Sequence, residues 1–343
     1  MPAMKIAKHQ IVMRRPDDFH LHVRQGALLT AVVPETARVF SRALIMPNTI
    51  PPVAAAEDVE EYREQIIDAA GSHGFEPLMA FKISSRSAET WNVEKLRHAA
   101  GLVAGKYYPQ GATTNAEDGI RNARELYPLF DMMQSAGTVL AIHGEDPGAF
   151  CLDREAQFLP LLSRIAADFP RLRIVLEHVS SRAGIDAVNA LPKRIAATIT
   201  VHHLLLTLDD LVGGLLSPHN FCKPIVKTPA DRDALREVVF SGNPRFFFGS
   251  DSAPHPREAK ESASGSAGVF SAPVALPALV ELFMKADRIE RLEDFIAGFG
   301  ADFYELPRNA GEVTLISDEW RVPAEIAGVV PFLSGTGLRW AVE

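Results

Sequence analysis

Asp17-Asp18-Phe19-His20-Leu21-His22-Val23-Arg24 places two imidazoles two positions apart near the start of a 343-residue chain. In an extended strand, residues i and i+2 share a face. His20 and His22 can therefore aim at one point, and Arg24 continues the same face if the strand does. Two convergent nitrogen donors beside a cation suit a metal site that also grips an anion. The spacing by itself fits two unrelated surface histidines equally well, so its meaning depends on further ligands at matching positions along the chain.

The stretch ends the first of eight short, apolar, β-prone runs: Ile11–His22, Arg42–Met46, Pro77–Ile83, Leu102–Tyr108, Thr138–His143, Arg173–His178, Ile195–His202 and Arg245–Asp251. Segments of helical character lie between them. Ala56–Ala70 carries Val59, Tyr62, Ile66 and Ile67 at helical spacing, and Glu117–Met133, Glu155–Asp168, Ser181–Ala190 and Ala230–Phe240 read similarly. Short apolar strands alternating with helices imply a parallel sheet. Eight repeats predict an α/β fold closed as a (β/α)8 TIM barrel. The competing doubly wound sheet lacks its Gly-x-Gly-x-x-Gly turn after the first strand. Because the first histidine-bearing strand ends near residue 22, no room is left ahead of it for half of a flanking β-domain. The chain reads as a single barrel domain, 1–343, with an extension of helix and coil from about residue 310, broken at Pro323 and Pro331. Ser262–Gly268 reads as a flexible loop near the site.

Composition narrows the partners. A net charge of −8, from 43 acids and 35 bases, argues against a nucleic-acid binder with a broad basic face but leaves room for a small anionic ligand. Cys151 and Cys222 are the only cysteines, so neither a disulfide framework nor a cysteine-based zinc site is implied. No apolar run reaches membrane-spanning length, and MPAMKIAKHQ lacks a signal-peptide core. The expectation is a soluble, cytoplasmic protein with no membrane or nucleic-acid partner.

Polar residues gather at the C-terminal ends of the predicted strands, where barrels carry their active sites. His20 and His22 end the first, Asn48 follows the second, Lys106 lies in the fourth, His143 ends the fifth, His178 the sixth and Asp251 the eighth. A histidine ending an apolar strand reads as a hydrogen-bonded structural residue or as a ligand, and Asp251 as a helix cap or as ligand and proton shuttle. A lone ammonium such as Lys106 reads as a salt-bridge partner or, once neutral and combined with carbon dioxide, as an anionic carbamate ligand. Their joint position at one rim favours the ligand readings. His202 and His203 are adjacent and would face opposite ways in a strand, so at most one points into the mouth, more readily to support a ligand than to be one. Glu145 and Glu177 flank ligand candidates and read as ion-pair partners.

RRPDDFHLHVR (14–24), MPNTIPPV (46–53), GKYYPQGATTN (105–115), IHGE (142–145), EHVSS (177–181), AATIT (196–200), FGSDSAPH (248–255) and KESASGSAGVF (260–270) resemble the amidohydrolase superfamily and, within it, the dihydroorotase family of the short, bacterial-type class. The resemblance implies two divalent metal ions, zinc first among them. His20 and His22 would hold one with Asp251, and His143 and His178 the other. Lys106, as the N6-carboxylysine formed with carbon dioxide, would bridge the pair together with a hydroxide. Arg24, Asn48 and His255 would bind a substrate carboxylate, and main-chain groups at Lys223 and Ala267 the ring edge. A lid loop at Thr113 and Thr114 would close over the substrate. The implied reaction is reversible closure of N-carbamoyl-L-aspartate to dihydroorotate plus water, with Asp251 as general base and then acid, in a homodimer. Lys223 stands where relatives are expected to carry an apolar residue, and Ser264-Gly265-Ser266 where some carry cysteines. Other readings are a hydantoinase-like cyclic-amide hydrolase, a barrel kept as a non-catalytic scaffold, and a metal-dependent phosphoesterase.

Overall fold

A computed structural model describes residues 4–116, 119–120 and 122–343. Eight parallel strands lie side by side in chain order. They are β3 (Asp17–Leu21), β4 (Arg42–Ile45), β5 (Glu76–Lys82), β6 (Leu102–Tyr107), β7 (Val139–Ile142), β8 (Ile174–Leu176), β9 (Ile195–Ile199) and β10 (Phe246–Phe248), preceded by β1 (Lys5–Ala7) and β2 (Gln10–Arg14). Main-chain bonds from Asp251 to the His20 carbonyl and from His22 to the Ser252 carbonyl, both 2.9 Å, bring the last strand back to the first and close the sheet into a barrel. Each parallel step needs a long crossover, and helices such as Ala56–Ala70, Arg154–Asp168 and Pro229–Phe240 supply it. No helix of the described residues is long and apolar enough to cross a membrane.

Alternation with a period of two fills the barrel floor and builds the rim from the same strands. Ala104, Ala141, Val175, Ala196 and Phe247 belong to one buried apolar cluster. Two residues further along each strand direction stand Lys106, His143, Glu177, Thr198 and Gly249. Helix Phe299–Phe303 and the Tyr304 that follows it close the floor: the Phe19 and Tyr304 rings stack at 4.9 Å, and a Cβ on Gly300 would sit 2.3 Å from the Phe19 ring.

Four elements differ from the sequence reading. Ile11–His22 is two strands, because Arg15-Pro16 interrupts it and proline supplies no ladder donor. Its first part, β2, leaves the barrel and pairs with β1 and with β11 (Glu312–Ile316). The tail expected as helix and coil contains β11, β12 (Trp320–Arg321), β13 (Gly337–Leu338) and β14 (Ala341–Val342). Chain ends therefore form a four-stranded antiparallel sheet, β1-β2-β11-β14, which the reading of residues before 22 had excluded. The seventh run stops at Ile199, and Thr200 caps helix Val201–Leu205 by accepting the His203 amide at 3.0 Å, so His202 and His203 are helical. The helix expected from Glu117 begins only at Tyr127, next to Pro128, which is tolerated in a first turn and not in a helix interior. Glu117, Asp118 and Arg121 lie outside the described residues.

Candidate active site

At the C-terminal rim, β3 departs from simple alternation. Its pairing with β4 shifts register between Asp18 and Leu21. Such an irregularity re-aims side chains, and both Phe19 and His20 reach the interior: Phe19 joins the floor while His20 joins the rim. Asp18 Oδ1 holds the turn together, accepting the His20 amide at 3.1 Å and the Ser250 amide at 2.8 Å. His178 and Asp251 lie just beyond their strands with left-handed backbones, φ 41° and 43°. That conformation is rare for residues with a Cβ and concentrates at functional sites. It lets the consecutive residues Glu177 and His178 both serve the rim.

The side chains form two adjoining donor groups. His20 Nε2 and His22 Nε2 stand 3.4 and 3.2 Å from Asp251 Oδ1, and ligand atoms of all three lie within 4.8 Å of one another. His143 Nδ1 and His178 Nε2 are 3.1 Å apart. Carboxylates support the rings from behind: Glu177 Oε2 accepts from His20 Nδ1 at 2.8 Å and from Thr198 at 2.6 Å, and Glu145 Oε2 lies 2.9 Å from His143 Nε2. A carboxylate on the far nitrogen fixes tautomer and orientation, as it does for metal-binding imidazoles. Lys106 Nζ is fully buried with no hydrogen-bond partner, 5.4 Å from the centre of the Tyr108 ring. Burial lowers its pKa to about 8, toward the neutral amine. Burial would raise the Asp251 carboxyl, but hydrogen bonds from His20 and His22 prevail and hold it well below the usual range. Burial takes His22 down to about 4, leaving a neutral ring able to donate a lone pair. This donor chemistry, with imidazoles and a carboxylate converging and one ammonium orphaned, fits divalent metal ions.

A polar wall faces these groups across a small cavity that is lined by His20, His22, Arg24, Asn48, Thr113, Thr114, His143, His178, Lys223, Asp251 and Ala267 among others. Arg24 Nε donates to the Pro254 carbonyl at 2.9 Å, and its Nη2 lies 3.0 Å from His255 Nε2. The same His255 nitrogen is 3.0 Å from the Ala267 carbonyl. Asn48 Nδ2 donates to the Thr114 carbonyl at 3.1 Å, and Asn115 returns a bond to the Asn48 carbonyl at 2.8 Å, so the Thr113–Thr114 loop is tethered over the cavity. Of the residues that the sequence suggests as ligands or substrate contacts, His20, His22, Arg24, Asn48, Thr113, Thr114, His143, His178, Lys223, Asp251 and Ala267 line this one cavity, while Lys106 and His255 do not line it but neighbour Tyr108 and Arg24, which do. His202 and His203 stay apart from the donor groups: both are buried, and His203 bonds Thr200 and the Pro224 carbonyl. Tyr108, which lines the cavity, escaped the sequence reading; its signal was its place two residues beyond Lys106 on one strand face.

The amidohydrolase family model matches residues 33–263, and the chain belongs to the amidohydrolase family. Dihydroorotase from Shewanella halifaxensis (strain HAW-EB4) is 44% identical over 344 residues, covering 97% of this chain and 99% of that one. A crystal structure of dihydroorotase from Campylobacter jejuni has a TM-score of 0.90 at 36% identity, covering 99% of this chain and 98% of that one. One from Saccharomyces cerevisiae, in complex with 5-fluoroorotic acid, has a TM-score of 0.91 at 34% identity and 98% coverage of both. Within the amidohydrolases, these relatives place the chain among the dihydroorotases. L-Hydantoinase from Arthrobacter aurescens shares the fold, with a TM-score of 0.80 at 18% identity.

Proposed function

We propose that the chain catalyses reversible cyclisation of N-carbamoyl-L-aspartate to (S)-dihydroorotate plus water, a step of de novo pyrimidine (UMP) synthesis. The observation that carries this reading is the Arg24–His255 pair on the wall of the same cavity as His20, His22 and Asp251. Cyclic amides in general need the donor cluster alone, whereas dihydroorotate also brings a free carboxylate. Arg24 offers that carboxylate a planar fork of donors, with Asn48 and His255 beside it. Burial and the neighbouring Arg24 push His255 down to about 3, so its neutral ring can donate one hydrogen bond without adding charge.

His20, His22 and Asp251 would hold one divalent ion, His143 and His178 a second, and Lys106 as a carbamate would bridge them. The imidazole and carboxylate donors suit zinc. Bound ions of this kind polarise a carbonyl and supply ionised water near neutral pH. In the hydrolytic direction the Asp251 carboxylate accepts the proton of the attacking water and delivers it to the leaving ring nitrogen. Glu177 keeps His20 Nδ1 protonated and so presents Nε2 as a lone pair. Main-chain groups at Lys223 and Ala267 hold the ring edge, and the Thr113–Thr114 loop excludes water during turnover.

We infer a cytoplasmic location, a reading supported by free cysteines at Cys151 and Cys222. A homodimer is supported by the apolar side chains of Val212, Leu215 and Leu216, which are 51%, 95% and 69% exposed; light scattering on the purified chain tests it. The test of the function is metal content and dihydroorotate hydrolysis measured on one chelator-free preparation, with hydantoin as the competing substrate. Dihydroorotate turnover that is lost with the metal and far exceeds hydantoin turnover is the expected result. Arg24→Ala should raise KM for dihydroorotate roughly 10–100-fold, the scale of losing a charged bidentate contact. Unchanged KM would remove Arg24 from the carboxylate site.

A further inference from the structure

Lys260 ends the short helix Arg257–Lys260 and is 3% exposed, yet the proposed chemistry does not use it. Its ammonium donates to two carbonyls, Phe221 at 2.9 Å and Gly268 at 2.6 Å. No carboxylate is among these partners, and a buried charge met only by neutral acceptors is costly to keep. Burial lowers its pKa to about 8. The two carbonyls belong to the two segments that carry Lys223 and Ala267 into the cavity wall. These segments also touch directly, since the Gly268 amide donates to the Phe221 carbonyl at 2.8 Å. The second segment also lies tight against the chain that follows β10, where a Cβ on Gly268, at φ +150°, would meet the Ala253 carbonyl oxygen at 2.4 Å. The Ser266 amide ties the second segment back to Ala259, beside Lys260, at 3.0 Å.

We propose that Lys260 is a positioning residue for substrate recognition: its buried ammonium joins the 221–224 and 266–268 segments, so that the main-chain groups at Lys223 and Ala267 keep the separation that a pyrimidine ring edge requires. The clamp also sets the anion wall, because the Ala267 carbonyl lies within 3.0 Å of His255 Nε2, which in turn lies 3.0 Å from Arg24. The ring-binding part of this proposal rests on the dihydroorotase reading, whereas the clamp itself is a property of the fold.

Lys260→Met keeps the length of the side chain and removes its donors. The expected result is a rise of about tenfold in KM for dihydroorotate with kcat within about threefold of the parent, the signature of lost binding rather than lost chemistry. Lys260→Arg, which retains donors, should restore most of the loss. Hydrogen exchange at the Gly268 amide reports the clamp without substrate and should quicken in Lys260→Met. Should that variant not fold, Lys260→Leu, which likewise has no donors, is read in the same way. Unchanged exchange, or a fall in kcat with KM unmoved, would overturn the positioning role. A parent chain that leaves dihydroorotate untouched but whose Lys260→Met variant shows faster exchange would sink the substrate assignment and keep the clamp.

Discussion

Lys106 has its charged end in a fully buried position without a hydrogen bond, a state that folding tolerates only if something compensates. As a carbamate it would trade a costly cation for an anion among imidazoles. Lys106→Ala is therefore expected to lose the metal and to lower turnover by at least three orders of magnitude, as for groups whose removal dismantles a catalytic unit. Normal metal content and rate, measured by atomic absorption and a dihydroorotate assay, would remove it from the site. Glu177 acts one step back, through His20. Glu177→Gln should weaken metal affinity about 10–100-fold, the usual scale for a carboxylate that orients a ligating imidazole; competition with a chelator of known affinity measures it. At this scale the sequence was informative because donor chemistry is carried by residue type. His20, His22, Lys106, His143 and Asp251 announce themselves by being polar at the ends of apolar runs. His178 was legible as a residue but not in its orientation, since it follows inward-facing Glu177 and reaches the rim only through a left-handed backbone.

Elements were legible where period and length agreed. Ala56–Ala70 occupies the range its apolar spacing predicted. Two of the misread elements are those in which one residue breaks a continuous apolar run. Pro16 divides the first run and Thr200 turns the seventh into a helix, and neither changes the hydrophobicity on which the reading rested. The joint at Pro16 is held by a buried pair. Arg42 donates twice to Asp17, at 2.9 and 2.7 Å, and Asn309 adds a bond to Asp17 at 2.7 Å. Asp17→Ala would leave Arg42 buried and uncompensated, and should destabilise the fold by about 3–5 kcal/mol. Chemical denaturation of the variant and parent tests this, and a loss below about 1 kcal/mol would show that water satisfies Arg42 instead.

For the whole molecule, the long-range pairing of chain ends is the feature least accessible to a reading of local patterns. β2 and β11 pair from Arg14↔Glu312 to Gln10↔Ile316, and nothing in either strand specifies a partner about 300 positions away. Their joint face buries Ile11 and Met13, at 0% and 1% exposure. Deleting 310–343 should therefore cost about 3–6 kcal/mol from those two side chains alone, lower the melting temperature and promote aggregation on heating. Unchanged cooperative melting would show that the barrel does not depend on this sheet. The barrel seam has a consequence in time. The Asp18–Ser250 bond spans 232 positions, so during synthesis His20 and His22 leave the ribosome long before Asp251 exists. Until then the His20–His22 pair lacks its carboxylate partner, and the full donor set arises when the last strand docks. On the proposed ligand set, an ion held by His20, His22 and Asp251 would bind only once the ring is complete and would act as its clasp.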